Sequence, residues 1–345
     1  MQTTHATDTT AGAGTSSGAP RRAGRLVGEG GLATLALVLV TAVWGSSFFL
    51  IHDLVGTLPP DDLSAVRFAI AAVAMLGVFG RHLRGLRRAD VVAALLIGVV
   101  YGLAQILQTY GLAHTEASTS GFLTGLCVVL TPLIALVLWR ERLPGATWAA
   151  VGLSVLGLAV LCFGGGAGIG GLGPGELLTL ASAVAYALQI VGMSRYVEPA
   201  RANGMAVVMM LGVALTCGVG GVADGRVELP ADSGAWLAVV WMALFAGALA
   251  MWAQAWAQAR MPATRAAIVM TLEPVFAATF ALLWGGETLT GRLLVGGGLI
   301  LSAMLVAELV GARAQESHED AAVDVTADDA TADSGAVAPA DPARA

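Results

Sequence analysis

Residues 117–145, ASTSGFLTGLCVVLTPLIALVLWRERLPG, and residues 263–291, ATRAAIVMTLEPVFAATFALLWGGETLTG, carry one pattern written twice. Each opens on Ala, passes through a long stretch poor in charge, and closes on a short polar turn ending in Gly. The correspondence extends to 108–145 and 254–291 at a constant offset of 146. Gln108 then falls on Gln254, Ala117 on Ala263, Leu136 on Leu282, Glu141 on Glu287, Leu143 on Leu289 and Gly145 on Gly291, while Tyr110 meets another aromatic, Trp256. Pro132 and Pro274 miss alignment by four residues. That is one helical turn, so they still mark the same helix face.

The solvent around this repeat is lipid. Hydrophobic residues make up 57% of the 345 positions, charged residues 12%, and mean hydropathy is +0.77. A soluble globule carries about a quarter of its residues charged. Apolar runs recur along the chain at 31–52, 63–80, 91–112, 117–139, 146–163, 174–194, 204–223, 235–257, 263–285 and 292–310. Crossing the ~30 Å hydrocarbon core takes about 20 residues of helix, and a helix satisfies its own backbone polar groups there. The expectation is an all-α integral membrane protein of ten transmembrane helices.

Arginine placement supplies the topology. With the N-terminus inside, Arg21, Arg22, Arg25, Arg81, Arg84, Arg87, Arg88, Arg140, Arg142, Arg195, Arg201, Arg260, Arg265 and Arg313 face the cytoplasm, and only Arg226 and Arg292 face outward. This is the positive-inside bias, alternating through all ten spans with both termini cytoplasmic. Because five helices per repeat is an odd number, the second copy must cross in the opposite sense, which puts Glu141 inside and Glu287 outside. The expected organisation is a disordered cytoplasmic arm (1–30), a first five-helix repeat (31–163), an inverted second repeat (174–310) and a disordered acidic tail (314–345).

The net charge of -6 belongs to that tail, which holds eight acids against Arg344. No lysine occurs, and the Ala- and Gly-rich composition has the bias of a GC-rich bacterial genome, so the bacterial cytoplasmic membrane is the expected location. Cys127, Cys162 and Cys217 lie in apolar runs without ligand or disulfide spacing. His114 has no ligand spacing either, and neither a metal nor any cofactor is expected. Gly166, Gly168 and Gly171 spell GxGxxG but follow a membrane span rather than a strand, which argues against nucleotide binding. Arg84, Arg87 and Arg88 are positive-inside charge, not a nucleic-acid patch.

Inverted repeats are the architecture of many secondary transporters. Short motifs add to this: Trp44-Gly45-Ser46-Ser47-Phe48, Arg67-Phe68, Glu141-Arg142-Leu143, Leu272-Glu273-Pro274 and Gly286-Glu287-Thr288-Leu289. In order and spacing the chain resembles the EamA-type members of the drug/metabolite transporter superfamily over about residues 31–310. The resemblance implies a ten-helix bundle with a central cavity that exports or exchanges small metabolites, often amino acids or related solutes. One departure is the spacing of Pro132, nine residues before Glu141, against thirteen between Pro274 and Glu287.

Polar groups at membrane depth need a partner or a function. Glu273, placed near the middle of the ninth span, is a candidate for proton coupling or for binding a substrate amine; the alternative is a helix-packing residue beside the Pro274 kink. Arg67 is expected to snorkel to the outer headgroups or to form an ion pair, with carboxylate binding as the other reading. Tyr101, Gln105 and Gln108 share one face of the third helix, Ser182, Tyr186 and Gln189 one face of the sixth, and Gln254 and Gln258 a stripe of the eighth beside Trp252 and Trp256. Trp44, Ser47, Gln105, Gln108, Tyr186, Gln189 and Gln254 are the candidate cavity lining, with interhelical hydrogen bonding as the competing use and an interfacial position expected for Trp256 and Gln258. Gly98/Gly102 and Gly121/Gly125 are expected at close helix contacts.

The function expected is a secondary transporter of a small-molecule substrate in the lipid bilayer, more readily an exporter, with a homodimer possible. The alternatives are a lipid flippase or scramblase on the same scaffold, which a groove open to lipid would favour, and a membrane-embedded enzyme. The enzyme is disfavoured because the spans hold no His beyond His52 at the end of the first, and Glu273 has no second mid-membrane acid.

Overall fold

The computed structural model describes residues 23–140, 143, 145–162, 172–197, 199–222, 225–258 and 269–310, with side chains from residue 31 onward. Residues 1–22, Glu141, Arg142, the Gly166–Gly171 stretch, Arg260, Arg265 and the 314–345 tail lie outside these.

Helix is the regular structure throughout the described residues. In chain order the helices are α1 (Ala23–Leu54), α2 (Pro60–Phe79), α3 (Arg88–Leu112), α4 (Ala117–Gly125), α5 (Cys127–Trp139), α6 (Gly145–Cys162), α7 (Pro174–Tyr196), α8 (Ala202–Gly221), α9 (Ser233–Trp241), α10 (Ala250–Gln258), α11 (Glu273–Leu283) and α12 (Gly291–Val310). A π-helical stretch, Met242–Leu249, joins α9 to α10. Nine stretches among the described residues are long and apolar enough to span a membrane, counting α4 with α5 and α9 through α10 as one each. The chain is therefore a multi-pass membrane protein, its outer faces covered by exposed side chains such as Leu39, Val73, Val137 and Leu237.

Three details depart from expectation. Helix α1 begins at Ala23, inside the arm expected to be disordered, because extending an existing helix costs far less than starting one. The fourth span is two helices meeting at Leu126. The ninth, expected as continuous over 263–285, is interrupted in its described part: a turn at Thr271–Leu272 precedes α11. Pro274, which lacks an N–H, sits in the first turn of α11, where that donor is not needed. Leu126 and Leu272 are 146 residues apart, the offset of the repeat, so the two breaks coincide although the prolines do not.

Polar contacts pin the helix ends. At one end Tyr110 of α3 donates to Asp61 of α2 (2.5 Å), Thr115 donates to Glu176 of α7 (2.7 Å), and the Glu287 carboxylate accepts from the Ser118 N–H at the start of α4. At the other, Arg201 before α8 pairs with Asp90 at the start of α3. Helix α3 thus runs parallel to α8 and antiparallel to α7. The arginines Arg81, Arg84, Arg87, Arg88 and Arg195 attach to segments at the Asp90 end, while Arg226 and Arg292 belong to the Asp61 end.

Small residues let the helices touch. A Cβ at Gly98 would overlap the Met209 carbonyl of α8, and one at Gly102 would meet Thr216. Gly121 faces Ala277 of α11, Gly125 faces Met304 of α12, and Gly157 of α6 lies against Gly296 and Ile300. In lipid, where burying apolar surface brings no gain, such close backbone packing carries helix association. The three cysteines are free; Cys162 and Cys217 are buried and Cys127 half-buried.

Candidate functional site

The faces of α3 and α7 that carry glutamine and tyrosine meet in the interior. The Tyr101 and Tyr186 rings lie 5.7 Å apart. The Tyr186 hydroxyl donates to Gln108 Oε1 (2.9 Å), whose Nε2 donates to Thr124 Oγ1 of α4 (3.1 Å). Each side of the Gln108 amide is therefore used, and three helices are tied at one point.

Arg67 extends this cluster. It stands two turns into α2 and is only 5% exposed, so it does not reach the headgroups as snorkelling requires. Its Nη2 donates to Gln105 Oε1 at 2.6 Å, its Nη1 approaches the Met242 sulfur at 3.9 Å, and its guanidinium carbon lies 4.3 Å from the centre of the Phe68 ring. The Nε–H has no partner, and no carboxylate pairs with it among the described residues, so the expected ion pair is absent. A buried guanidinium held by one amide oxygen, a thioether and a ring is short of acceptors.

Glu273 is the first residue of α11, where the positive end of the helix dipole favours an acid. No described residue hydrogen-bonds or ion-pairs its carboxyl, which is half-buried. Tyr101 and Tyr186 lie within electrostatic reach of both Arg67 and Glu273. Cys127, at the offset of 146 from Glu273 and likewise first in its helix, also feels the Glu273 charge.

The remaining candidates divide. Trp44 Nε1 donates to the Ala246 carbonyl in the π-helical stretch (2.8 Å), and Ser47 bonds back to the Trp44 carbonyl of its own helix. Trp44, Trp256, Met270 and Leu272 all pack, half-buried, against one cluster formed by Ala33, Leu37, Val40, Ala250, Ala257 and Val269. Gln254 reaches the Met270 sulfur (3.5 Å) in that second group, next to the turn that precedes Glu273. Gln189 turns to Met193 of its own helix and Ser182 to the Thr179 carbonyl, which leaves both outside the Arg67 cluster. Trp252 is exposed, and the side chain of Gln258 lies outside the described set.

Sequence reading missed Thr124, Cys127 and Met242. A signal existed for Thr124: Ser118, Thr119, Ser120 and Thr124 form a hydroxyl-rich run inside an apolar span, and every residue of α4 is buried. Met242 had none, since only the fold brings a π-helical stretch beside Arg67.

Known proteins place the chain. The EamA-like transporter family matches it twice, over residues 31–163 and 173–308. An uncharacterised transporter of Archaeoglobus fulgidus is 27% identical over 277 residues, 80% of this chain and 86% of its own length. The uncharacterised inner membrane transporter YedA of Escherichia coli is 27% identical over 284 residues, 79% of this chain and 90% of its own. A protein of Streptantibioticus cattleyicolor described as a probable terminal-alkyne amino-acid exporter is 28% identical over 287 residues, 79% and 92% respectively. A crystal structure at 23% identity shares the fold, with a TM-score of 0.57 over 83% of this chain and 99% of that one. With a family match covering both halves of an apolar helical bundle, the chain belongs to the EamA-like transporter family.

Proposed function

We propose that this protein is a secondary transporter that moves a small metabolite, an amino acid or related solute or a drug-like compound, outward across the bacterial cytoplasmic membrane. The polar cluster of Arg67, Tyr101, Gln105, Gln108, Tyr186 and Glu273 carries this reading: both halves of the chain contribute to it, and it lies deep in an apolar bundle. A purely structural bundle has no need of uncompensated charge at that depth.

The working unit is ten helices in two inverted repeats, 31–163 and 174–310, with both termini cytoplasmic. The contacts support this arrangement. Helix α1 against α11 is mirrored by α7 against α4 and α5, α3 against α7 by α10 against α1, while α2 against α8 and α4 against α11 are each their own mirror. Rocking one half on the other exposes the cluster to each side in turn. Here the cluster is shut, with Arg67 and Gln108 buried. The exporter among the relatives supports outward movement and an amino-acid-like cargo.

A lipid flippase is the second reading. It is favoured by an apolar groove of about 620 Å³ among α1, α9 and the end of α11, lined by Leu39, Phe49, Leu237, Trp241, Phe280 and Trp284.

Purified protein in liposomes loaded with labelled amino acids and related metabolites tests both. Efflux that follows a pH gradient in wild type and loses that dependence in Glu273→Gln is the expected result. Efflux of the same solute indifferent to the gradient and to the substitution would mean facilitated diffusion, and Glu273 would be structural. Absence of solute efflux together with movement of fluorescent phospholipid between leaflets would replace the transporter reading with the flippase.

A further inference from the structure

At the Asp90 end, α3 of the first half and α7 of the second border a groove of about 570 Å³ with a charged mouth and apolar walls. We propose that this groove holds one acyl chain of an anionic phospholipid from the surrounding bilayer, with its phosphate on Arg88 and Tyr196. Such a lipid is a resident of the protein, separate from any cargo, and its groove is distinct from the one among α1, α9 and α11.

The groove follows from residue size. Ala89 and Ala93, one turn apart on α3, form its floor, and the larger Val92 and Leu96 stand exposed beside them. Ile97 closes the deep end, where α7 comes so near that a Cβ at Gly192 would lie 3.1 Å from the Ile97 side chain. The other end reaches Arg88, the first residue of α3, and Tyr196, the last of α7, both exposed. From Arg88 to Ile97 the helix rises ~14 Å. One leaflet's share of the ~30 Å hydrocarbon core is ~15 Å, so the groove runs the depth of a single chain.

The lining selects the occupant. Val92, Leu96 and Ile97 offer only dispersion contacts, which suit a hydrocarbon chain and give a polar ligand nothing. Arg88 has no ion-pair or hydrogen-bond partner among the described residues, and a guanidinium fork matches phosphate oxygens. Asp90, the acid nearest to it in sequence, is held by Arg201 and by the Arg87 N–H. Arg81, Arg84 and Arg87 precede the groove and Arg195 adjoins Tyr196, against Asp90 and Glu198, of which Glu198 lies outside the described residues. This excess of arginine favours a headgroup of net negative charge over one that also carries an ammonium. Tyrosine suits the same level, its ring against the chain and its hydroxyl towards the headgroup. A second copy of this chain, by contrast, would bring the same positive end against its own. Because α3 and α7 belong to different repeats, the lipid bridges the two halves at this end.

The test uses purified full-length protein stripped of lipid in mild detergent, with bound lipid counted by native mass spectrometry. The probes are phosphatidylglycerol, phosphatidylcholine of the same chains, and glycerophosphoglycerol, which is the anionic headgroup without chains. The expected result is one site that binds phosphatidylglycerol at least tenfold more tightly than phosphatidylcholine and is not emptied by glycerophosphoglycerol. Arg88→Gln should weaken phosphatidylglycerol at least tenfold, more than the about fivefold that one arginine near an anionic surface contributes. Ala89→Phe fills the floor while leaving every charge in place, and should weaken it as strongly. Both positions are exposed, so the melting temperature of the lipid-free protein should not change, and the comparison of the two lipids needs no variant.

Equal binding of the two phospholipids would mean ordinary solvation by the bilayer and overturn the proposal. A loss in Arg84→Gln as large as that in Arg88→Gln would overturn it as well, and so would full binding in Ala89→Phe, since either means diffuse attraction to a positive surface. A lipid-free dimer that Ala89→Phe splits would replace the lipid with a contact between copies. Solute efflux is measured separately, so failure here leaves the transporter reading standing.

Discussion

At the scale of single residues, Gln108 shows how a membrane interior uses an amide. It accepts from Tyr186 and donates to Thr124, so its removal orphans two groups. Interhelical hydrogen bonds in lipid average about 0.6 kcal/mol each, because unfolded helices also find partners there. Gln108→Leu is therefore expected to cost about 1 kcal/mol in reversible unfolding by detergent titration. Combined with Tyr186→Phe, the loss should fall short of the sum of the two single changes; strict additivity would mean the bond contributes nothing. Glu116 gives a pH signature outside the spans. Partial desolvation, and then the like charge of Glu287, push its carboxyl above the ordinary range. The folded state therefore holds that proton more tightly than the unfolded chain, and this contribution favours the fold at acid pH and fades as pH rises through the folded value. Glu116→Gln should raise the melting temperature at pH 8 and leave it unchanged at pH 4. A shift of equal size at both would discard that cause.

At the scale of elements, helix contacts are set by where side chains are missing. Gly98 and Gly212 bring α3 and α8 together backbone to backbone, and Gly45 does the same for α1 against Phe276 and Ala277 of α11. A side chain at Gly98 must push α8 aside; overpacking of this kind costs about 1–3 kcal/mol or more. Gly98→Leu should lower the melting temperature steeply, whereas Gly77→Ala, which meets open space on α2, should be neutral or stabilising. If both substitutions were equally tolerated, the close approach of α3 and α8 would be without consequence. The breaks matter in the other direction. The turn at Thr271–Leu272 gives Glu273 a helix terminus, and the π-helical stretch turns the Ala246 carbonyl to Trp44 and the Met242 sulfur to Arg67. These irregular backbones lie beside the polar cluster, where protein rather than lipid can satisfy them.

At the scale of the whole molecule, the same bundle has a polar centre and two differently charged ends. Arginine collects at the Asp90 end, and Asp61, Asp62, Glu176 and Glu287 at the other, where backbone or hydroxyl donors hold them. A carboxylate cap that ties α2 to α3, or α4 to the segment after α11, is a contact that must loosen if that end opens. The efflux experiment above belongs to this scale, since it reads the halves moving together rather than any one contact.

Much of this was legible without coordinates, for a reason of range. Spanning length, apolar composition and charge bias are local along the chain, so the apolar spans, the free cysteines and the glycines at close helix contacts could be read from residue order. That Tyr101, Gln105 and Gln108 share one face of α3, and Ser182, Tyr186 and Gln189 one face of α7, was also readable from helical periodicity, but not that the two faces meet. Tertiary structure alone decided the rest. Whether Arg67 turns to the headgroups or inward depends on Gln105, Phe68 and Met242, which come from three segments and satisfy it only in part. The position of Glu273 at a helix start, and the diversion of Gln189 and Ser182 to their own helix, likewise follow from packing. Hydropathy measures a residue's preference for lipid or water, and an interior polar group answers to neither, only to the neighbours the fold brings to it.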